Sequence, residues 1–105
     1  LGENELVGSI PNELGNLAAL KILDLHENKL SGSIPRQLGK LAALELLYLA
    51  RNHITGELPA ELGNLTSLKI MHISRNKLSG LIPCELSNLS ALNTLWLGGN
   101  ELSGE

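Results

Sequence analysis

Apolar and polar residues alternate along "LKILDLHEN" (20–28), with Leu23 and Leu25 on one side of an extended chain and Ile22, Asp24 and His26 on the other. A two-residue period of this kind predicts a short strand with one buried face. The alternation returns in residues 44–52, 68–76 and 92–100, each time 24 residues further on. Stacked in parallel, such strands lie about 4.8 Å apart. Every strand segment runs into an asparagine, at Asn28, Asn52, Asn76 and Asn100. There an amide side chain can both donate to and accept from backbone left unpaired as the chain leaves the sheet, so the file of asparagines is expected to form a hydrogen-bonded ladder. Past the asparagine, "KLSGSIP" (29–35) is rich in turn formers, with Gly32 freeing the backbone and Pro35 fixing a corner. "PRQLGKL" (35–41) has a proline start and a glycine stop around too few residues for an α-helix, which predicts a short 3₁₀ turn on the outer face.

The whole chain is this unit repeated. Gly8, Gly32, Gly56, Gly80 and Gly104 keep the same 24-residue step, as do Pro11, Pro35, Pro59 and Pro83. Full units occupy 17–40, 41–64 and 65–88, with partial units at 1–16 and 89–105, and together they make one domain. No unit can bury its own leucines, so stability is a sum over neighbouring contacts. With no polar cap at either end of the segment, its first and last strands are expected to stack end to end with other copies.

The units follow the pattern NxLxGxIPxxLGxLxxLxxLxL and resemble leucine-rich repeats of the plant-specific class over the entire chain. The resemblance implies an α/β-type repeat solenoid: a right-handed superhelix with a parallel concave sheet, a short second strand after each asparagine, and 3₁₀ or irregular convex turns. It also implies a setting in the extracellular or cell-surface part of a receptor kinase or receptor-like protein. Two other functions fit the same repeat class, a secreted inhibitor of a cell-wall-degrading hydrolase and a structural repeat that adsorbs to ice or carbohydrate. An engineered consensus-like array is a further alternative, although the units differ as though by drift.

In a repeat array the variable positions are the ones free for recognition. Aligning the strands gives four outward columns on the concave face. The first is Ile22, Leu46, Ile70 and Thr94; the second is Asp24, Tyr48, His72 and Trp96; the third is His26, Ala50, Ser74 and Gly98; the fourth is Glu27, Arg51, Arg75 and Gly99. The chain has one tyrosine, one tryptophan and no phenylalanine, and both aromatics fall in the second column with His72 between them. Aromatic rings turned out of a core are good anchors for a partner. Four rows span about 15 Å, the reach of a few residues of extended peptide or one edge of a protein. Tyr48, His72 and Trp96 are therefore the expected anchors of a protein or peptide ligand, with Asp24, Arg51 and Arg75 for polar matching. The competing reading is that the rings only cover their sheet neighbours, and that Glu27 pairs with Arg51.

Composition narrows the rest. A net charge of −3 without a Lys/Arg cluster disfavours nucleic acid, and no apolar run reaches the length of a membrane span. Catalysis is not expected: Asp24 and His72 lie two rows apart, about 10 Å, and the histidines share no column that would hold a metal. No cofactor-binding phosphate loop is present. Cys84 stands alone in an outer column with Asn12, Arg36 and Ala60 and is expected to be exposed. "NLT" (64–66) and "NLS" (88–90) match the N-glycosylation acceptor pattern at Asn64 and Asn88, while Asn16 is followed by "LA" and Lys40 occupies the same column.

Overall fold

The computed structural model describes residues 7–103. Short strands alternate with 3₁₀ turns along the chain: β1 (Val7–Ser9), β2 (Ile22–Asp24), β3 (Lys29–Ser31), β4 (Leu46–Tyr48), β5 (Thr55–Gly56), β6 (Ile70–His72), β7 (Lys77–Leu81), β8 (Thr94–Trp96) and β9 (Glu101–Ser103). β2, β4, β6 and β8 form a parallel sheet in that order, with Leu23, Leu47, Met71 and Leu95 in one register. The strands that follow the asparagines pair separately, β1 with β3 and β5 with β7 and then β9. They are the expected short second strands. Turns at Asn12–Asn16, Arg36–Lys40, Ala60–Asn64 and Cys84–Asn88 are 3₁₀ helices of five residues, each entered from a proline with φ between −64° and −71°. None is capped by a side chain; the N–H of the following leucine closes each turn on a carbonyl three residues back.

Burial follows the stacking. Leu38 of one coil, Leu41, Leu44, Leu47, Leu49 and Leu62 of the next, and Leu65, Leu68, Met71 and Ile73 of the one after are fully buried, whereas Leu95 and Leu17 are exposed. Burial is most complete where a coil has a neighbour on each side, as expected of a nearest-neighbour repeat. On the convex side the coils touch through backbone: an added Cβ at Gly39 would lie 2.5 Å from the Glu61 carbonyl oxygen. Glycine at that position lets the two turns pack at this distance.

The asparagine ladder forms as the chemistry dictates. Asn52 is buried; its Oδ1 accepts from the amides of Asn28 (3.2 Å) and Leu30 (3.1 Å). Its Nδ2 donates to the carbonyls of Leu25 (2.9 Å), Leu49 (3.1 Å) and Ala50 (3.3 Å). Asn76 repeats the pattern one coil on. Each amide thus joins the coil before it to its own.

Candidate functional site: the concave face

The strands of the main sheet are only three residues long and end on the second column. Sheet register sets Asp24, Tyr48, His72 and Trp96 side by side, one per strand, with buried Leu23, Leu47 and Met71 pointing the other way in the first three rows. The rings of that column touch. His72 meets Tyr48 edge-on at a centroid distance of 6.1 Å and Trp96 edge-on at 4.4 Å. Such T-shaped contacts suit the quadrupoles of aromatic rings. Trp96 remains 55% exposed, so this packing leaves most of the indole open to a partner. Its ring leans on His72, the sheet neighbour in the preceding row. Beside the rings runs the first column, in which Ile22 is 56% exposed and Leu46 and Ile70 are half-buried.

One column departs from the outward strand positions assigned by alternation. Ala50, in the third, keeps its place on the concave side, where it lines a hollow and is buried among larger side chains. The fourth column lies in the turn beyond the strand, where Glu27, Arg51 and Arg75 have φ of 55°, 61° and 60° and Gly99 has 76°. Asparagine explains this. For Asn52 Nδ2 to reach back to the carbonyls of Leu49 and Ala50, the backbone between must turn sharply, and the left-handed conformation at Arg51 makes that turn. Non-glycine residues occupy this region at a cost of about 1 kcal/mol or more, which Gly99 avoids. Alternation could not show the turn because it reads only an extended backbone.

A concavity of about 390 Å³ collects Asp24, His26, Glu27, Tyr48, Ala50, Arg51 and His72. A second, of about 860 Å³, brings Arg75 and Trp96 together with Ser74, Lys77, Gly98, Gly99 and the core-side Leu95 and Leu97 of the last coil. The six expected ligand-binding residues therefore divide between two hollows. His26, Glu27, Ser74 and Lys77 were not among them. His26 could have been found from Asp24-x-His26, a spacing that puts both side chains on one side of a strand.

Asp24 Oδ1 accepts from His26 Nδ1 and from the His26 amide at 3.3 Å. Burial alone would raise the Asp24 pKa, but the hydrogen bonds from the His26 ring and amide and the His26 charge hold it below the usual value. Glu27 lies 3.8 Å from His26 Nε2 and 3.9 Å from Arg51, the pairing considered above, long enough to leave Arg51 largely available. His72 Nε2 shares a 2.7 Å hydrogen bond with Ser74 Oγ. Its pKa is lowered, by burial first and then by the positive charges of His26 and Arg51.

On the convex side, Asn64 and Asn88 are exposed at the ends of their 3₁₀ turns, and Cys84 is an exposed free thiol. Among the described residues no group of three or more His, Cys, Asp or Glu could hold a metal ion, and no helix is long and apolar enough to cross a membrane.

A family model described as a leucine-rich repeat region matches residues 3–103. The chain belongs to the leucine-rich repeat family. No curated protein matches it by sequence. Among solved structures, a TDR receptor shares 47% identity at a TM-score of 0.98, over 100% of this chain and 18% of the receptor's. The Arabidopsis receptor kinase HAESA, solved in complex with the peptide hormone IDA and the co-receptor SERK1, shares 38% at a TM-score of 0.68, over 99% of this leucine-rich repeat chain and 21% of that one. A plant ice-binding protein shares 33% at 0.85, over 97% and 33%. The chain thus spans a minor part of each of these proteins. Plant receptor ectodomains and related leucine-rich repeat proteins are its structural neighbours.

Proposed function

We propose that this chain is a non-catalytic recognition segment, part of an extracellular receptor region, that binds an extended peptide or a protein edge through its concave face. The observation that carries this reading is the file Tyr48–His72–Trp96, rings in edge-on contact on the solvent side of the sheet, with Asp24 at one end and Arg51 and Arg75 in the turns beside it. The rings are rigid anchors, and the charges select among partners. Family kinship to a receptor bound to a peptide hormone supports the same use.

The test is selection of a random peptide display library on the immobilised protein. Selected peptides are expected to lose at least about tenfold in affinity to the double variant Tyr48→Ala/Trp96→Ala, which is the loss of a single weak hot spot or more. They should be indifferent to Arg36→Ala/Lys40→Ala on the convex turn. The reverse pattern would move the site to the convex face. Circular dichroism and thermal melting of both variants separate lost binding from lost fold.

An ice-binding neighbour favours a second reading, adsorption to a regular surface. A lattice is met by repeated side chains, and the second column repeats none. Direct measurement of thermal hysteresis decides it: a freezing-point gap in solutions of the protein would replace peptide recognition with surface adsorption.

For an extracellular chain, Asn64 and Asn88 are the proposed glycan acceptors, both exposed on the convex ridge with exposed Thr66 and Ser90 two residues on. Secreted from a eukaryotic host, the protein is expected to lose mass on treatment with an N-glycosidase, and Asn64→Gln/Asn88→Gln to show no such loss. An unmodified wild-type mass would withdraw this support for secretion.

A further inference from the structure

His72 occupies the centre of the proposed recognition face, and the inference that follows rests on that reading for its choice of ligands. Its ring touches Tyr48 on one side and Trp96 on the other. The groups that face it come from every coil around it. The first supplies Asp24, His26 and Glu27 and the second Tyr48 and Arg51, all in the same concavity; its own coil supplies Ser74 against the ring and, in the hollow that holds Trp96, Arg75 and Lys77. The fourth supplies Trp96 and, from Thr94 to Gly99, no ionisable side chain. Near neutral pH the permanent charges lining the two hollows are Asp24 and Glu27 against Arg51, Arg75 and Lys77. One proton on His72 adds to that positive excess.

We propose that His72 makes the concave face proton-sensitive: as a neutral imidazole it completes an uncharged file of rings, and as an imidazolium it sets a cation between Tyr48 and Trp96, so acidification shifts the favoured ligand from apolar toward carboxylate-bearing peptides. The proton comes from solvent. With Nε2–H donating to Ser74 Oγ, it enters at Nδ1 and that bond is kept; with the serine donating, it enters at Nε2 and the bond reverses. Burial and the neighbouring positive charges lower the His72 pKa, which makes the neutral form the one present at neutral pH. Four cations would then stand against two carboxylates, with the added charge where a ligand meets the rings.

Trp96 is the sole tryptophan and lies 4.4 Å from the His72 ring, so its fluorescence reports the change directly, because an adjacent imidazolium quenches indole emission. Titrated from about pH 8 to about pH 5, emission is expected to fall in one transition with its midpoint below the ordinary histidine value of 6.5. The transition is expected to vanish in His72→Gln and to persist in His26→Gln. Emission independent of pH, or a transition that survives His72→Gln, would overturn the proposal. For the ligand half, random peptide libraries are selected at about pH 5.5 and about pH 7.5. The acidic pool should be richer in Asp and Glu, and His72→Gln should erase the difference. Equal acid content in the two pools refutes the exchange of preference. Should no peptide bind the concave face at either pH, the recognition reading fails, while the fluorescence titration still reports whether the column senses protons.

Discussion

Asn52→Ala is expected to cost the fold about 3 kcal/mol, measured as a drop in urea midpoint at unchanged slope. The asparagine is buried and makes five hydrogen bonds, two accepted and three donated. The five are not equivalent. The carbonyls of Leu25, Leu49 and Ala50 each accept a second donor, from Asn28 Nδ2, Asn76 Nδ2 and the Glu27 amide respectively, and keep it when Asn52 is shortened. The amides of Asn28 and Leu30 lose the acceptor that Oδ1 supplies in a buried place, and each such loss costs about 1–3 kcal/mol. Asn52→Asp is the informative partner: it keeps the acceptors, loses the donors and buries a charge. A loss below about 1 kcal/mol for the alanine variant would mean that water replaces the side chain, and that the ladder is not what joins the coils.

Gly39→Ala carries the next largest effect, about 2–3 kcal/mol, for a reason that has nothing to do with conformational freedom. The new methyl would meet the Glu61 carbonyl oxygen at 2.5 Å and the carbonyl carbon at 3.0 Å. These are backbone atoms of the next coil and can yield only if the two 3₁₀ turns move apart. Because that spacing is shared with the buried leucines behind the turns, separation on the convex side opens the core. Alanine's better intrinsic propensity offsets a fraction of this. Gly98→Ala is the control, since nothing lies within 4 Å of a Cβ there, and its melting temperature should be close to wild type. Equal melting of the two variants would show that the coil spacing is compliant.

The pH dependence of stability follows from the same residues as the proposed proton switch. A histidine whose folded pKa lies below its unfolded value binds protons more readily when unfolded. His72 therefore leaves the fold at full stability above the unfolded value of 6.5 and weakens it as pH falls from there to its folded pKa. Asp24 acts in the same direction further down, its stabilisation present above the unfolded value of 3.8 and lost as pH falls through its depressed folded pKa.

Much of the architecture can be read from single residues. Leu23 and Leu25 alternating with Asp24 and His26 give the strand and its buried side; Pro35 and Gly39, spaced too closely for an α-helix, give the 3₁₀ turn; Asn28 and its equivalents give the ladder. The second column was also readable, because a period of two decides which side of a sheet a residue takes and a period of 24 decides its row. Less could be read where the backbone stops being extended. Glu27, Arg51 and Arg75 were assigned as if on a strand, because alternation does not register a left-handed turn.

By itself, then, the sequence determined the repeat, the order of its elements and the row and column of each candidate residue, since all of these follow from periods along the chain. Only the tertiary structure decided how those residues meet: that His72 lies edge-on between Tyr48 and Trp96, that Asp24 is held by His26, and that the arginines reach the face from turns shaped by the asparagine beside each. Spacing in sequence gives direction and register, whereas contact depends on rotamers, twist and the closeness of stacked coils, and these are set by all the neighbours at once.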